Sequence, residues 1–235
     1  MTAKARVASA RRSPRSISPI KAPDTDLAPN RRRDILLAAE RLFASKGFHG
    51  VSIRDIADAA GVPLALVGYY FGPKAELYQQ IYRERSSYIQ ARLGALAKAQ
   101  EEAAPGQLLD DIVKAFVLPV LTVAASEDGR HFLRLMARGM SEQLEEDETV
   151  IRDLFDPLAH AFINALMAAS PRASRGTVAY CYQFALGALL LHVTDRRIDR
   201  LSLGENHAGD QKRSGPILVR FIAAGIRAAC GASTH

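Results

Sequence analysis

The chain has 235 residues, and 48% of them are apolar, enough to bury a substantial core as one large or two small domains. No apolar run approaches the ~18 residues of a membrane span and the N-terminus lacks the apolar region of a signal peptide, which predicts a cytoplasmic protein without a membrane partner. The net charge of +6 is uneven, because residues 1–85 hold 15 Lys and Arg against 8 Asp and Glu whereas residues 86–235 hold 16 against 17, and this placement favours a nucleic-acid partner.

Residues 1–30 form a separate compositional zone, rich in Ala, Ser, Pro and Arg and without a periodic apolar face. Such a segment cannot bury enough apolar surface to fold alone, so we expect a disordered basic tail. Arg11, Arg12 and Arg15 are then either solvated charges or an arm that lies along phosphates or enters a minor groove.

Residues 31–46 predict an amphipathic helix. Its apolar positions recur at the spacing of one helical face, with charged residues mainly between them; they are Ile35, Leu36, Ala39, Leu42 and Phe43. A turn, Gly47-Phe48-His49-Gly50, follows this helix.

Two short helices are predicted after that turn. Ser52 and Asp55 nearly match a capping box, with Asp in place of the usual Glu, and Gly61 can adopt the left-handed conformation that ends a helix. Pro63 suits the first turn of the next helix, which ends near Gly72. Three helices with a tight glycine-containing turn between the last two are typical of a helix-turn-helix, which predicts binding to duplex DNA.

The candidate DNA-binding residues lie on the side of these helices that the expected packing leaves exposed. They are Ser52, Arg54, Pro63, Leu64, Ala65, Leu66, Tyr69, Tyr70 and Lys74. The apolar members can contact bases only through groups such as the thymine methyl, so specificity depends on Arg54, on a tyrosine and on DNA shape. Lys74 opens the following helix, where its ammonium and the helix N-terminus both attract phosphate.

From residue 74 onward the pattern predicts helix after helix, with no strand signals. One long helix is expected over 74–103, followed by helices near 107–125, 129–144, 147–169, 174–200 and 215–230. Helices of this length predict an all-α protein, with a three-helix DNA-binding domain joined to a C-terminal bundle. The expected organisation is a tail over 1–30, a helix-turn-helix domain over 31–78 and a domain for effector binding and dimerisation over 79–235.

Candidate interface and effector residues are apolar and at helical spacing, so each is either a binding residue or ordinary core. The candidate dimer contacts are Phe162, Leu166, Phe184, Ala188 and Leu191. The candidate cavity residues are Phe116, Leu121, Phe132, Met136, Phe155, His160, Tyr180 and Tyr182. Aromatic and Met side chains with few charges suit a small hydrophobic or aromatic effector better than a polyanion.

Residues 31–78, about a fifth of the chain, resemble the DNA-binding domain of the tetracycline-repressor (TetR) family of bacterial transcription regulators. The resemblance rests on Ile35-Leu36-x-Ala38-Ala39-x-x-Leu42-Phe43-x-x-x-Gly47-Phe48, on Ser52-Ile53-Arg54-Asp55-Ile56-Ala57-x-x-Ala60-Gly61-Val62 and on Tyr69-x-Phe71-Gly72-x-Lys74-x-x-Leu77. It implies a cytoplasmic, all-helical homodimer whose C-terminal domain binds a small molecule and thereby weakens operator binding. The chain departs from the family where Pro63 and Leu64 replace the usual Ser or Thr then Lys, and where Leu66 and Gly68 replace the frequent Thr and Tyr.

The sequence contains few signals for an enzyme or for a metal-binding protein. The six histidines are scattered, neither His-x-x-x-His nor Cys-x-x-Cys spacing occurs, and we expect no catalytic site, cofactor or metal. Cys181 and Cys230 suit a reducing compartment, with a disulfide between them left open. A metal-responsive regulator, and a basic helical adaptor that binds any acidic partner, are the alternatives to an effector-controlled DNA-binding protein.

Overall fold

The computed structural model describes residues 28–142 and 144–231, and within these ranges every regular element is helical, which confirms the all-α fold class. Residues 1–27 of the predicted tail, with Arg11, Arg12 and Arg15, lie outside the described residues. Residues 28–30, which the sequence pattern also assigns to the tail, form the start of the first helix. The helices are α1 (Ala28–Lys46), α2 (Ile53–Ala60), α3 (Leu64–Phe71), α4 (Lys74–Glu84), α5 (Ser86–Glu102), α6 (Leu108–Ala124), α7 (Glu127–Glu142), α8 (Glu145–Val150), α9 (Asp156–Ala169), α10 (Arg175–Thr194), α11 (Ile198–Leu201) and α12 (Gln211–Gly231). A π-helical turn, Ile151–Phe155, joins α8 to α9.

The N-terminal domain is built around one apolar cluster to which four helices contribute. The cluster contains Ile35 and Phe43 of α1, Ile56 of α2, Val67 of α3 and Leu77 of α4, all inaccessible to solvent. Ile35 and Phe43 belong to the apolar face predicted for the first helix, and burial of the whole cluster stabilises the orientation of α2 and α3 against α1.

The predicted single helix over 74–103 is wrong, because the chain leaves helical geometry at Arg85 and forms α4 and α5 instead. The Arg85 guanidinium binds both carboxylate oxygens of Glu40 in α1, with N–O distances of 3.0 and 2.6 Å, and its carbon lies 5.4 Å from the ring centroid of Phe132 in α7. Glu40 is buried, and a buried carboxylate requires such a partner. We attribute the break to this ion pair, since neither Gly nor Pro stands there.

The N-terminal domain also contacts the C-terminal helices directly. The Tyr78 hydroxyl of α4 donates a hydrogen bond of 2.5 Å to the buried Asp147 carboxylate of α8, and the hydroxyls of Tyr78 and Tyr82 are 3.2 Å apart. Arg138 of α7 donates to the backbone carbonyl of Ser45 in α1 at 3.3 Å. The two parts of the chain are therefore joined by packing at α7 and α8 as well as by the backbone at α4.

Within the described residues one helix, α10, is long enough and apolar enough to cross a membrane, judged by length and composition alone. The sequence pattern did not predict this. Its most apolar window has a mean hydropathy of 1.3, and 28% of that window is buried. α10 packs on α7, α9 and α12, and its outer side carries Tyr180, Phe184 and Leu191. Its apolar character thus comes from both a core face and an exposed face.

Candidate nucleic-acid interface

The predicted capping box at the start of α2 is confirmed. The Ser52 hydroxyl oxygen accepts a hydrogen bond from the Asp55 backbone N–H at 3.1 Å, and the Asp55 carboxylate accepts one from the Ser52 backbone N–H at 2.8 Å. The Ser52 hydroxyl itself donates to this carboxylate at 2.7 Å, and these bonds hold the pKa of Asp55 below its usual range. Because the Ser52 hydroxyl is engaged in the cap, its local role is to fix the start of α2.

A left-handed glycine sets the angle between α2 and α3. Gly61 has φ of 65° and ψ of 33°, a conformation that is costly for residues with a Cβ. The Val62 N–H bonds the Ala57 carbonyl at 3.0 Å and the Gly61 N–H bonds the Asp58 carbonyl at 3.2 Å, as in a Schellman motif. Pro63 occupies the N-cap of α3, one position before the first helical residue.

α3 has a buried side and an exposed side. Val67 and Phe71 face the core, whereas Leu64 is 46% exposed and Tyr69 is 75% exposed. With the exposed Arg54, Pro63 and Ala65, these two side chains form what we call the α2–α3 surface. It combines one guanidinium, one phenol and a short apolar ridge, which suits phosphate and base-edge contacts in a groove of DNA.

Two other candidate residues on α3 are less available. Leu66 and Tyr70 are half-buried, and within the described ranges the Tyr70 hydroxyl is buried without a hydrogen-bond partner. Tyr69 packs edge-on against the Tyr70 ring, with centroids 5.3 Å apart. Of the two tyrosines, Tyr69 is therefore the one whose hydroxyl is free to reach a ligand.

The Lys74 ammonium does not point outward, as a contact with DNA phosphate would require. It points into the protein and donates to the backbone carbonyls of Phe48 and Val51, both at 3.0 Å, while lying 4.2 Å from the Phe48 ring centroid. Both carbonyls belong to the connection between α1 and α2, and the Phe48 carbonyl also accepts a hydrogen bond from the Val51 N–H at 3.4 Å. In the structure Lys74 therefore stabilises that turn, and its charge does not face outward.

The candidate effector residues do not form one cavity. Phe132, Met136 and Phe155 are buried beside Tyr82, whereas Phe116 packs on Phe162 and Tyr182 in another part of the same core, and Leu121 is also buried. His160 is exposed and its Nδ1 lies 3.3 Å from Arg175. Tyr180 is exposed and stacks on Phe184. Periodicity identified the core positions, but it could not show which of them contact one another.

The candidate dimer residues also divide into two sets. Phe162 and Leu166 lie in the core of the chain, where no partner can reach them, while Phe184 is 69% exposed, Leu191 is 59% exposed and Ala188 is partly exposed. The exposed apolar neighbours of α10 come from α12, where Phe221 is 69% exposed. We call the apolar groove between these helices, of about 420 Å³, the α10–α12 groove; it is lined by Cys181, Phe184, Ala185, Ala188, Phe221, Ile222, Ala224, Gly225, Ile226 and Ala229.

Metal-ligating groups are dispersed over the described part of the chain, where no three His, Cys, Asp or Glu side chains are close enough to hold an ion. Cys181 and Cys230 are free thiols, both buried, with sulfur atoms 3.9 Å apart. His235 lies outside the described residues.

Two family models match the sequence. Residues 35–81 match the model described as bacterial regulatory proteins, tetR family, and residues 114–225 match the model described as tetracyclin repressor-like, C-terminal domain. The first covers α2, α3 and most of α1 and α4, and so includes the whole α2–α3 surface.

Curated relatives match over about half of the chain or less. The regulator BetI of Brucella anthropi is 29% identical over 134 residues, which cover 52% of this chain and 69% of BetI. The repressor KstR2 of Mycolicibacterium smegmatis is 35% identical over 72 residues, which cover 30% of this chain and 35% of KstR2.

Solved structures extend the likeness to the whole fold. HlyIIR, a hemolysin II transcriptional regulator, superposes with a TM-score of 0.59 at 16% identity over 84% of this chain and 97% of that one. PfmR of Thermus thermophilus superposes with a TM-score of 0.54 at 23% identity over 80% of this chain and 94% of that one. At these identities the likeness concerns the fold.

Proposed function

Because the chain belongs to the TetR family of bacterial transcriptional regulators, we propose that it is a repressor that binds a palindromic operator as a homodimer and is released by a small hydrophobic or aromatic effector. The observation that carries the proposal is the α2–α3 surface, which presents Arg54, Leu64 and Tyr69 to solvent on two helices fixed by a cap and a left-handed glycine. Such a rigid, convex pair of helices suits the major groove of duplex DNA. DNA binding inside a bacterium also assigns the protein to the cytoplasm.

The α10–α12 groove supports the homodimer in this proposal. Phe184 and Phe221, each 69% exposed, flank this apolar groove, and large apolar side chains exposed beside such a groove are typical of a protein–protein contact. Pairing two copies of this face about a two-fold axis buries it on both sides, because the same patch then meets itself. The two α2–α3 surfaces of the dimer then read two half-sites with the same two-fold symmetry.

The test is selection of bound duplexes from a random pool by the full chain. We expect palindromic sites whose half-site centres are about 34–36 Å apart or a small multiple of that distance. Tyr69→Ala and Leu64→Ala should weaken binding to the selected site, while Leu203→Ala, at an exposed leucine outside the N-terminal domain, should bind as wild type does. Equal binding to every duplex and to an unrelated polyanion would instead support the basic adaptor.

Arg54 separates base recognition from phosphate contact in the same assay. If its guanidinium binds a guanine edge, Arg54→Ala should lose about 1–3 kcal/mol on the selected site and relax preference at one base pair. A uniform loss on all duplexes, with a salt slope lowered by about one, would assign Arg54 to the phosphates. Lys98→Ala removes an exposed charge from α5 and is the matched control.

A further inference from the structure

Arg92 of α5 is a cation buried in an aromatic cluster. The residue is 2% exposed, and its guanidinium carbon lies 4.8 Å from the ring centroid of Phe116, 5.1 Å from that of Phe162 and 5.6 Å from that of Tyr88. Tyr182 of α10 packs on Phe116 with centroids 5.6 Å apart and closes the cluster on the side of α10. The cation is therefore surrounded by ring faces from α5, α6 and α9.

The hydrogen bonds of this guanidinium are few and long. One terminal nitrogen donates to the Tyr88 hydroxyl at 3.3 Å, the other donates to the Phe116 backbone carbonyl at 3.4 Å, and within the described residues the buried Nε–H has no acceptor. A guanidinium has five N–H donors, so most of its capacity is unused.

No negative charge balances Arg92 among the described residues, where it forms no ion pair within 4.0 Å. Burial raises the pKa of Tyr88 and of Tyr182, so both phenols are neutral at physiological pH. Arg85 provides the contrast within the same chain, since its guanidinium binds both oxygens of a buried carboxylate. A buried, unpaired guanidinium is destabilising, and three ring faces compensate only part of its lost hydration.

We propose that Arg92 anchors the carboxylate of an apolar monoanionic effector that enters the cluster between α5, α6, α9 and α10. A carboxylate supplies one negative charge and two oxygens in the planar geometry that a guanidinium fork matches, and the surrounding aromatic and aliphatic side chains suit an apolar tail. This assignment rests on the proposed function, in which an effector binds the C-terminal helices, and it gives that effector a charge.

The unliganded cluster is closed, so binding has a structural consequence. The void beside Phe116, Phe162 and Tyr182 is about 10 Å³, which holds no more than about one water molecule. Of the aromatic side chains around it, Tyr182 alone is only half-buried, so it can move outward at the lowest cost. Its helix, α10, carries the exposed face of the α10–α12 groove, and displacing Tyr182 thus acts on the helix that we assign to the dimer.

The experiment compares carboxylates with neutral molecules of the same shape, in the absence of DNA. Calorimetric titrations of the full chain would use straight-chain carboxylates from six to sixteen carbons and ω-phenyl carboxylates, each beside its matching alcohol. We expect at least one carboxylate to bind saturably and about 10- to 100-fold more tightly than its alcohol, as a charge-assisted pair requires. If no carboxylate binds, or if acid and alcohol bind equally, the proposal is overturned.

Two substitutions test which residue causes the preference for a carboxylate over its alcohol. Arg92→Met keeps a long apolar side chain against the rings and should reduce the preference for the acid to less than about threefold. Arg134→Met is the control, because Arg134 is exposed and lines a separate polar cleft, whose Arg130 and Arg196 lie beside Glu127 and Asp195 and offer an alternative partner for a carboxylate. Loss of the preference in Arg134→Met but not in Arg92→Met would place the carboxylate in that cleft and refute the anchor.

A measurement on the wild-type chain covers the case in which Arg92→Met does not fold. The side-chain Nε–H resonance of Arg92, identified by its absence in Arg92→Lys, should shift on saturation with the carboxylate and stay in place with the alcohol. An unmoved resonance at saturation contradicts the proposal. Operator binding is measured separately on the same protein, so a chain that prefers carboxylates but binds no duplex refutes the proposed function and leaves the Arg92 site standing.

Discussion

The ammonium of Lys74 links two parts of the N-terminal domain that are distant in sequence. It joins the first residue of α4 to two carbonyls in the turn between α1 and α2, and it lies over the ring of Phe48. Replacing Lys74 with a side chain that has no donor leaves both carbonyls without this partner in a half-buried site.

Lys74→Met should therefore lower the free energy of unfolding by about 1–3 kcal/mol. Lys98→Met, at an exposed position of α5, should change it by less than about 0.5 kcal/mol. Urea denaturation followed by circular dichroism measures both. A Lys74→Met protein of unchanged stability that loses one unit of salt dependence in DNA binding would restore the phosphate role.

Cys181 permits a second prediction about a single residue. The pKa of the Cys181 thiol is raised to about 11, mainly by burial and to a smaller extent by the neighbouring Cys230. Since the thiolate is the reactive form, a thiol reagent at pH 8 should label Cys181 on the order of 100-fold more slowly in the folded protein than in guanidinium. Peptide mass spectrometry resolves the two cysteines, and equal labelling rates for Cys181 in both states would contradict its burial.

At the scale of elements, the break between α4 and α5 connects the N-terminal domain to the bundle. Arg85→Met leaves the buried Glu40 carboxylate without its partner, which should lower the free energy of unfolding at pH 7 by about 3–5 kcal/mol. Glu40→Gln combined with Arg85→Met should recover part of this loss, because the uncompensated charge is gone. Chemical denaturation of the four proteins completes the cycle.

The pH dependence of Arg85→Met has a definite sign. Burial already raises the pKa of Glu40 above its usual value, while the hydrogen bond and charge of Arg85 oppose that effect. Without Arg85 the pKa of Glu40 in the folded state rises further. The protonated Glu40 carboxyl then stabilises the folded state fully below the unfolded-state pKa of about 4.3, and this stabilisation is lost as pH rises through the folded-state pKa. The deficit of Arg85→Met relative to wild type should shrink in acid, and a deficit independent of pH would be inconsistent with this account.

Elements whose signals are local could be predicted from the sequence, and those set by distant partners could not. The cap of α2 and its terminal glycine depend on residues three to nine positions apart, so Ser52, Asp55 and Gly61 identified the helix-turn-helix. The break at Arg85 depends on Glu40, 45 positions away, and the inward turn of Lys74 depends on Phe48. Likewise, periodicity marked Phe162 and Phe184 as apolar, but only the fold shows that Phe162 packs on Phe116 of α6 whereas Phe184 faces solvent.

At the scale of the whole molecule, the proposed dimer would form through the α10–α12 groove. Phe184→Glu or Phe221→Glu places a charge in the centre of the proposed interface, and we expect a monomer at micromolar concentration by sedimentation together with loss of operator binding. Leu203→Glu makes the same substitution at a leucine that is 94% exposed and outside the groove, and it should remain dimeric. If the groove variants sediment as wild type does, the dimer forms through another face.

Communication between the two ends of the molecule is reciprocal. If a carboxylate at Arg92 favours a dimer geometry that does not fit the operator, the operator must weaken the carboxylate by the same factor, about 5- to 150-fold for a coupling of about 1–3 kcal/mol. Titrating a bound carboxylate with and without saturating operator duplex measures this factor. Identical affinities in the two titrations would show that the Arg92 site does not control the α2–α3 surface.

Dimerisation through the exposed apolar side of α10 would also make operator occupancy depend steeply on the cellular concentration of the chain. If the DNA-binding form is a dimer closed through the α10–α12 groove, its abundance at concentrations below the dissociation constant follows the square of the chain concentration, and halving expression reduces it about fourfold. Gene dosage would then control operator occupancy more steeply than it controls protein level.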